Sequence, residues 1–275
     1  MRIKILSAIL LTIILSQKLI AKEIEQKHIV VLNCSYNNEK WYQENIKSFT
    51  DQDYKNKTML YIDDCSPDGT GDLVQEYIKN NNLENEVILI KNQKNMGAMA
   101  NQYNAITSCK NDDIIVILDG DDLFEDNKVL SFINHVYQDP NVWLTYGQFR
   151  YMSDRRRGFC SPIDLNIVKN NTFREYAMHP SHLRTFYAGL FKKVRKEDFM
   201  FNGAFLTMTC DVAAMLPMIE MSRDGHFRFV PKILYVYNDL SPINDHKINR
   251  QLQYDLDVYI RTREKYDPII SPLID

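Results

Sequence analysis

Three carboxylates fall within four consecutive positions, Asp119-Gly120-Asp121-Asp122, directly after the apolar run DIIVIL at 113–118. Carboxylates packed together without a counterion repel and raise one another's pKa. A hard divalent cation relieves that conflict, because Mg2+ and Mn2+ prefer oxygen ligands. Mg2+ commonly takes one or two carboxylates and completes its shell with substrate phosphates. The cluster therefore suits Mn2+ or Mg2+ shared with a diphosphate, and Gly120 permits a sharp turn close to a ligand. A short acidic cluster is equally a common solvated turn, so other residues have to decide. Asp63-Asp64 ends another apolar run and precedes a Ser-Pro-Asp-Gly turn. A carboxylate there can accept from a base N–H or a ribose hydroxyl, whereas helix capping suits Ser66 and Asp68 better than Asp64.

The elements that must position these acids are legible as alternating segments. Strands are expected at 28–34, 58–63, 86–91, 113–118 and 142–149, with helices at 39–50, 70–81, 97–109 and 126–138. Short apolar runs suit buried parallel strands. Asp68 or Thr70 is the expected cap of the second helix, and Gly97 opens the third. Strands alternating with helices imply βαβ units and a parallel sheet, with right-handed crossovers. Ligands bind such sheets beyond the carboxyl ends of the strands. The polar clusters 35–38, 63–66, 92–95 and 119–122 each follow a strand, so all four should face one crevice. The second half is less regular. Residues 151–178 read as a long loop, 182–193 and 206–221 as helices, 233–238 as a strand, and 247–264 as an amphipathic closing helix.

Four segments carry a resemblance, in this order: VVLNCSYNNEKWYQENIKSFTDQDYKN, YIDDCSPDGT, NQKNMGAMANQYNAI and ILDGDD. Together they span roughly 28–125, and their order and spacing are more specific than any one motif. The chain resembles the family 2 glycosyltransferases of the GT-A fold. The resemblance implies an α/β fold with a Rossmann-like, mostly parallel sheet flanked by helices. One domain is expected over 27–275, with a nucleotide-binding half at 27–125 and a less regular acceptor-binding half at 126–275. It implies a nucleotide-diphosphate-sugar donor, with a UDP-sugar favoured, and a glycan or other hydroxyl acceptor. Cys34 is placed near the nucleobase and Asp64 on it. Asp119, Gly120, Asp121 and Asp122 correspond to the DXD-type motif for ribose and metal, Asp121 and Asp122 being the expected metal ligands. Tyr36, Asn95 and Gly97 lie in the same matching segments and join the donor-site candidates.

Inverting transfer needs a carboxylate to take the acceptor's proton, and the resemblance places that base near the start of a helix in the second half. Asp211 fits best, with Glu220 and Asp224 behind it; a cap or a first-turn acid complementing the helix dipole is the plainer role for Asp211. His246 is a candidate third metal ligand, as a late histidine is in some GT-A enzymes, against an ordinary surface or cap role. Arg184 offers a bidentate fork for phosphate or a partner for an acid. One departure stands out: Gln102 occupies the place where family members often carry an arginine, and Lys91 or Lys94 are the available replacements. The processive synthases of the family carry a Gln-x-x-Arg-Trp motif that neither Trp41 nor Trp143 completes, which favours a nonprocessive enzyme.

Composition excludes little and agrees with a globular enzyme. The chain has 275 residues, 45% hydrophobic and 25% charged, with a formal net charge of -3. Nothing marks a nucleic-acid binder, and the cluster Arg155-Arg156-Arg157 reads as a solvated loop or as a patch near an anionic substrate. Five dispersed cysteines form no metal or disulfide pattern. Residues 1–22, with Arg2 and Lys4 before an apolar run, have the layout of a signal peptide or short anchor. That leader implies the secretory pathway, export or membrane association; a misassigned start would leave the chain cytoplasmic. A sugar nucleotidyltransferase and an exported, non-catalytic carbohydrate-binding protein on the same fold are the competing functions.

Overall fold

The computed structural model describes residues 24–176, 180–242 and 245–273, without the side chains of Asp245 and His246. The leader therefore lies outside the described residues. From Ile29 the chain runs β1 (Ile29–Ser35), α1 (Tyr42–Thr50), β2 (Lys57–Asp63), α2 (Thr70–Asn80), β3 (Val87–Lys91), α3 (Ala98–Ser108) and β4 (Ile114–Ile117). These agree with the expected segments to within a few residues. β5 (Leu123–Phe124), α4 (Val129–Val136), β6 (Leu144–Tyr151), α5 (Leu165–Asn170), β7 (Thr185–Tyr187) and α6 (Ala188–Lys192) follow. The chain then forms the ribbon β8 (Met200–Phe201) and β9 (Ala204–Phe205), α7 (Cys210–Met221), β10 (Phe227–Tyr237), α8 (Asp245–Ile248) and α9 (Arg250–Thr262).

Among the described residues, eight strands share one sheet in the order β3-β2-β1-β4-β7-β6-β10-β5. β1 pairs in parallel with β2 and β4, β2 with β3, and β10 with β6. β7 runs antiparallel between β4 and β6, and β5 antiparallel beside β10. The parallel strands are buried on both faces, as in Ile29 to Leu32 and Ile114 to Ile117, which is why they read as continuous apolar runs and not as alternation.

Several expectations need correction. Residues 182–193 contain β7 before a five-residue helix; the short strand is imposed by pairing with β4 and β6 and has no local signature. The stretch 151–178 carries α5 and a 3-10 turn at Phe173–Glu175. β10 begins six residues before the expected 233, because a register shift between Val230 and Ile233 breaks its pattern. β5 has no counterpart among the expected segments, because two residues carry no periodicity. The expected helix 247–264 is two helices, α9 being capped by the Asn249 side chain on Leu252 N at 3.0 Å. α2 has Gly69 as its cap residue, with Asp68 Oδ1 accepting from Thr70 N at 3.0 Å.

Candidate active site

The tips of β1, β2 and β4 are drawn together by backbone and amide contacts. Asp64 N donates to Ser35 O at 2.9 Å and Leu118 N to Leu32 O at 3.1 Å. From α1, the fully buried Asn45 donates Nδ2 to the carbonyls of Asp119 (2.9 Å) and Asp122 (2.8 Å), and its Oδ1 accepts from Asn33 Nδ2 at 2.8 Å. One amide thus clamps both ends of the acidic turn. Gly120 packs against the segment after β1. A Cβ there would stand 2.5 Å from Asn38 Nδ2 and 2.9 Å from Ser35 Cβ. The glycine is required by close approach and not, as expected, by the turn's own dihedrals: its φ is not among the positive ones.

Asp64 is buried and fully engaged. Its Oδ1 accepts from Asn92 Nδ2 (2.7 Å) and Met96 N (2.8 Å), and its Oδ2 from Gly97 N (2.8 Å). Gly97, at φ 82° and ψ 153°, adopts a conformation open essentially to glycine alone. Asp64 and Gly97 therefore shape the loop at the expected nucleobase side together. Asn95 and Tyr36 are exposed on the rim, and Cys34 is partly buried between the tips. Burial, then Asp119, Cys210 and Asp64, pushes the Cys34 thiol well up, so Cys34 touches the fields of both acidic clusters and stays a neutral thiol.

The three clustered aspartates differ in their surroundings. Asp122 is 1% exposed; its Oδ2 accepts from Tyr235 Oη at 2.5 Å and its Oδ1 from Asn238 N at 2.6 Å. Burial, followed by the charges of Asp121 and Asp119, pushes its carboxyl well above the usual range. Asp119 is partly exposed; burial raises its pKa against the pull of Arg184, whose Nη2 lies 3.2 Å from Asp119 Oδ2. Asp121 is pushed up to about 6 by burial, with Asp119 adding to the shift and a Ser241 hydrogen bond opposing it. Ser241 also lines a cleft of about 570 Å³ with Asn37, Lys40, Trp41, Asp68 and Leu240. Asp121 therefore keeps the most spare ligating capacity of the three, and Asp122 the least.

The second half supplies residues that were not ranked as site residues from sequence. His182 stacks on Tyr235 at 4.3 Å, and one of its ring nitrogens lies within 4.8 Å of oxygens of Asp119 and Asp122. Burial and Arg184 hold its pKa well below 6.5. Arg184 Nη2 stands 3.4 Å from His182 Nδ1 as well as against Asp119, so a cation among these three groups competes with a guanidinium already there. Asp211 sits in the first turn of α7, 42% exposed, with Oδ1 accepting from Val212 N at 2.9 Å and Oδ2 at 3.6 Å from Arg184 Nη1. Thr209 occupies the cap position, which leaves Asp211 free of that role. Glu220 is fully buried in a bidentate pair with Arg174 (2.6 and 2.8 Å) and Asp224 is exposed beyond the helix end. Both lie on the order of 13 Å or more along the axis from Asp211 and away from the acidic tips. The His246 side chain falls outside the described residues. Lys91 pairs with Asp72 at 2.5 Å, and Arg155, Arg156 and Arg157 are engaged by Glu125, Asp154 and the Pro231 carbonyl, as a loop cluster would be.

The profile of Glycosyl transferase family 2 matches residues 30–197, more than half of the chain. The chain belongs to that family. Among curated relatives, a putative teichuronic acid biosynthesis glycosyltransferase of Bacillus subtilis is 28% identical over 101 residues, 37% of this chain and 38% of the relative. The glycosyltransferase GlyG of Streptococcus pneumoniae is 23% identical over 175 residues, 60% of this chain and 55% of the relative. The chain thus spans about half or less of the curated relatives it matches. Among solved structures, S. aureus TarS 1-349 in complex with UDP-GlcNAc superposes with a TM-score of 0.58 at 17% identity, covering 83% of this chain and 64% of that one. The mannosyltransferase PcManGT of Pyrobaculum calidifontis, in complex with GDP-Man and Mn2+, gives 0.54 at 19% identity, covering 78% and 57%. The family's GT-A architecture is therefore shared, and these relatives are glycosyltransferases.

Proposed function

We propose that this chain is a metal-dependent, inverting, nonprocessive glycosyltransferase that moves one sugar from a nucleotide-diphosphate donor to a hydroxyl acceptor. A UDP-sugar is the favoured donor, in keeping with the UDP-GlcNAc bound by TarS. The observation that carries the reading is the meeting of Asp119, at the tip of β4, with Asp211, at the start of α7, across Arg184, with Asp121 in the same acidic turn and a neighbouring tip loop organised by Asp64. A metal fits the donor set: carboxyls whose burial and mutual repulsion disfavour ionisation gain most from a bound cation. Asp121 would hold Mn2+ or Mg2+, with Asp119 on the adjoining side and Asp122 supporting the turn from within. When bound, the ion neutralises charge on the departing diphosphate.

The chain's own residues do the remainder. The loop tied to Asp64 receives the nucleobase, and Asp119 faces the ribose. The Asp211 carboxylate, half-exposed in the first turn of α7, accepts the acceptor's proton. As the acceptor oxygen bonds to the anomeric carbon, the bond from that carbon to the phosphate oxygen breaks and its electron pair leaves with the nucleotide. Removing a positioned base of this kind costs about 10²- to 10⁴-fold in rate.

A donor screen tests the reading: nucleotide sugars are offered with and without Mn2+, and release of nucleoside diphosphate is measured. Turnover that requires metal and is abolished in Asp121→Ala is expected. Binding of free sugar with no nucleotide dependence would instead favour the non-catalytic carbohydrate-binding alternative.

A further inference from the structure

Arg184 immediately precedes β7, the antiparallel strand wedged between β4 and β6, and its carbonyl accepts from Ile117 N at 3.1 Å. That register carries its side chain to the tip of β4. The side chain is only 8% exposed, yet it meets two acids from separate elements. Nη2 lies 3.2 Å from Asp119 Oδ2 at the donor side, and Nη1 lies 3.6 Å from Asp211 Oδ2 at the start of α7. Its Nε is buried with no acceptor. Burying a guanidinium with a donor unpaired is costly, and packed apolar residues often serve stability as well or better than a buried charge group. The placement is therefore poorly explained as a device for holding the fold.

We propose that Arg184 is a positioning residue that locks the proton-accepting carboxylate of Asp211 to the donor-side carboxylate of Asp119. The proposal rests on the transferase reading above and deepens it. The planar fork spans two carboxylates in a fixed geometry, which a lysine ammonium on its flexible stem does not reproduce. With Val212 N on Oδ1 and Arg184 on Oδ2, the Asp211 carboxylate has a set orientation before an acceptor arrives. Proton transfer then goes from the acceptor hydroxyl to Asp211, while Arg184 keeps its own protons and remains the counterion of Asp119. An arrangement held to within a fraction of an ångström matters, because small misplacements of reacting groups cost large factors in rate.

The test is a double-mutant cycle on the full chain, read as kcat and donor KM separately. Arg184→Met should lower kcat by about ten- to a hundredfold and Asp211→Asn by about 10²- to 10⁴-fold. In the Asp211→Asn background, adding Arg184→Met should lower kcat by less than about threefold, because both act through one carboxylate. The rise in donor KM that Arg184→Met causes through Asp119 should persist in that background and disappear in Asp119→Asn. A residue that merely holds the fold would give losses in kcat that multiply, and that outcome overturns the proposal while leaving the transferase reading intact. Absence of metal-dependent turnover by the unaltered protein overturns both. Should Arg184→Met not fold, Arg184→Lys, which keeps the charge without the fork, runs the same cycle with the same expected coupling.

Discussion

At the scale of single residues, the site is a set of carboxyls held where ionisation is unfavourable. Asp121 has a folded pKa of about 6 against an ordinary value of 3.8, with burial as the main cause. A raised carboxyl means that folding takes up a proton, so the metal-free protein bears a penalty at pH above about 6 that fades as the pH falls toward the unfolded value. Asp121→Asn removes the ionisable group. Without metal, the variant should melt a few degrees above the unaltered protein near pH 7.5, and the gap should shrink as the pH falls through about 6 and close below about 3.8. A gap that is flat across that range would contradict the assignment. Added Mn2+ and UDP should reverse the order at neutral pH, because they stabilise only the ionised site. Asp119, Asp121, Asp122 and Asp64 were legible in the sequence because each closes a continuous apolar run, and parallel sheets put such positions on one edge. Tyr235 and His182 were not legible in their roles, and for Arg184 the sequence offered an acid as one of two partners without saying which acid. Tyr235 reaches Asp122 across 113 positions of chain, a separation that no local pattern encodes.

Among the elements, α1 and α7 act as the two jaws that set the acids. Asn45 looks like one more polar residue of an amphipathic helix, yet it is fully buried and holds the carbonyls of Asp119 and Asp122. Asn45→Ala removes the donor to the Asp122 carbonyl and the acceptor of the buried Asn33 amide, and should destabilise the protein by about 1–3 kcal/mol. Denaturant titration reads the stability, and the loss in metal-dependent turnover should exceed what the remaining folded fraction explains. α7 is anchored at its far end by Glu220, whose partner Arg174 also donates to the carbonyls of Ile260 and Arg263 at the end of α9. Arg174→Met leaves the buried Glu220 carboxyl without its guanidinium partner, keeping the hydrogen bond from Tyr266 N at 3.0 Å, and the expected cost is about 3–5 kcal/mol. Replacing both with apolar residues of similar size should recover most of that loss. A double variant as unstable as the single one would show that the pair does more than satisfy its own charge. The βαβ part of the fold was legible because helix and strand periods alternate cleanly there. β5, β7 and the β8–β9 ribbon were not, since two or three residues carry no period and owe their conformation to neighbours.

For the whole molecule, the order of strands in the sheet matters more than the order of motifs. Residues 27–125 hold the motifs that carry the family resemblance, but β4 of that segment is flanked by β7, and β5 lies beside β10. A fragment ending at 125 would expose the β4 edge, whose residues Ile114 to Ile117 are all buried in the intact chain. Unpaired apolar edges of this kind associate with other chains. The expected result is a soluble 24–275 protein and an aggregated 24–125 fragment, compared by size-exclusion chromatography. Interleaving also bears on how such an enzyme can change its partners. The strands contributed by the later half are threaded into the same hydrogen-bonded ladder as the earlier ones, so that half cannot be exchanged as a cassette. On the proposed function, new acceptor preferences would arise by editing the segment 202–209, which leads into Asp211 at the start of α7 and lies outside the main sheet.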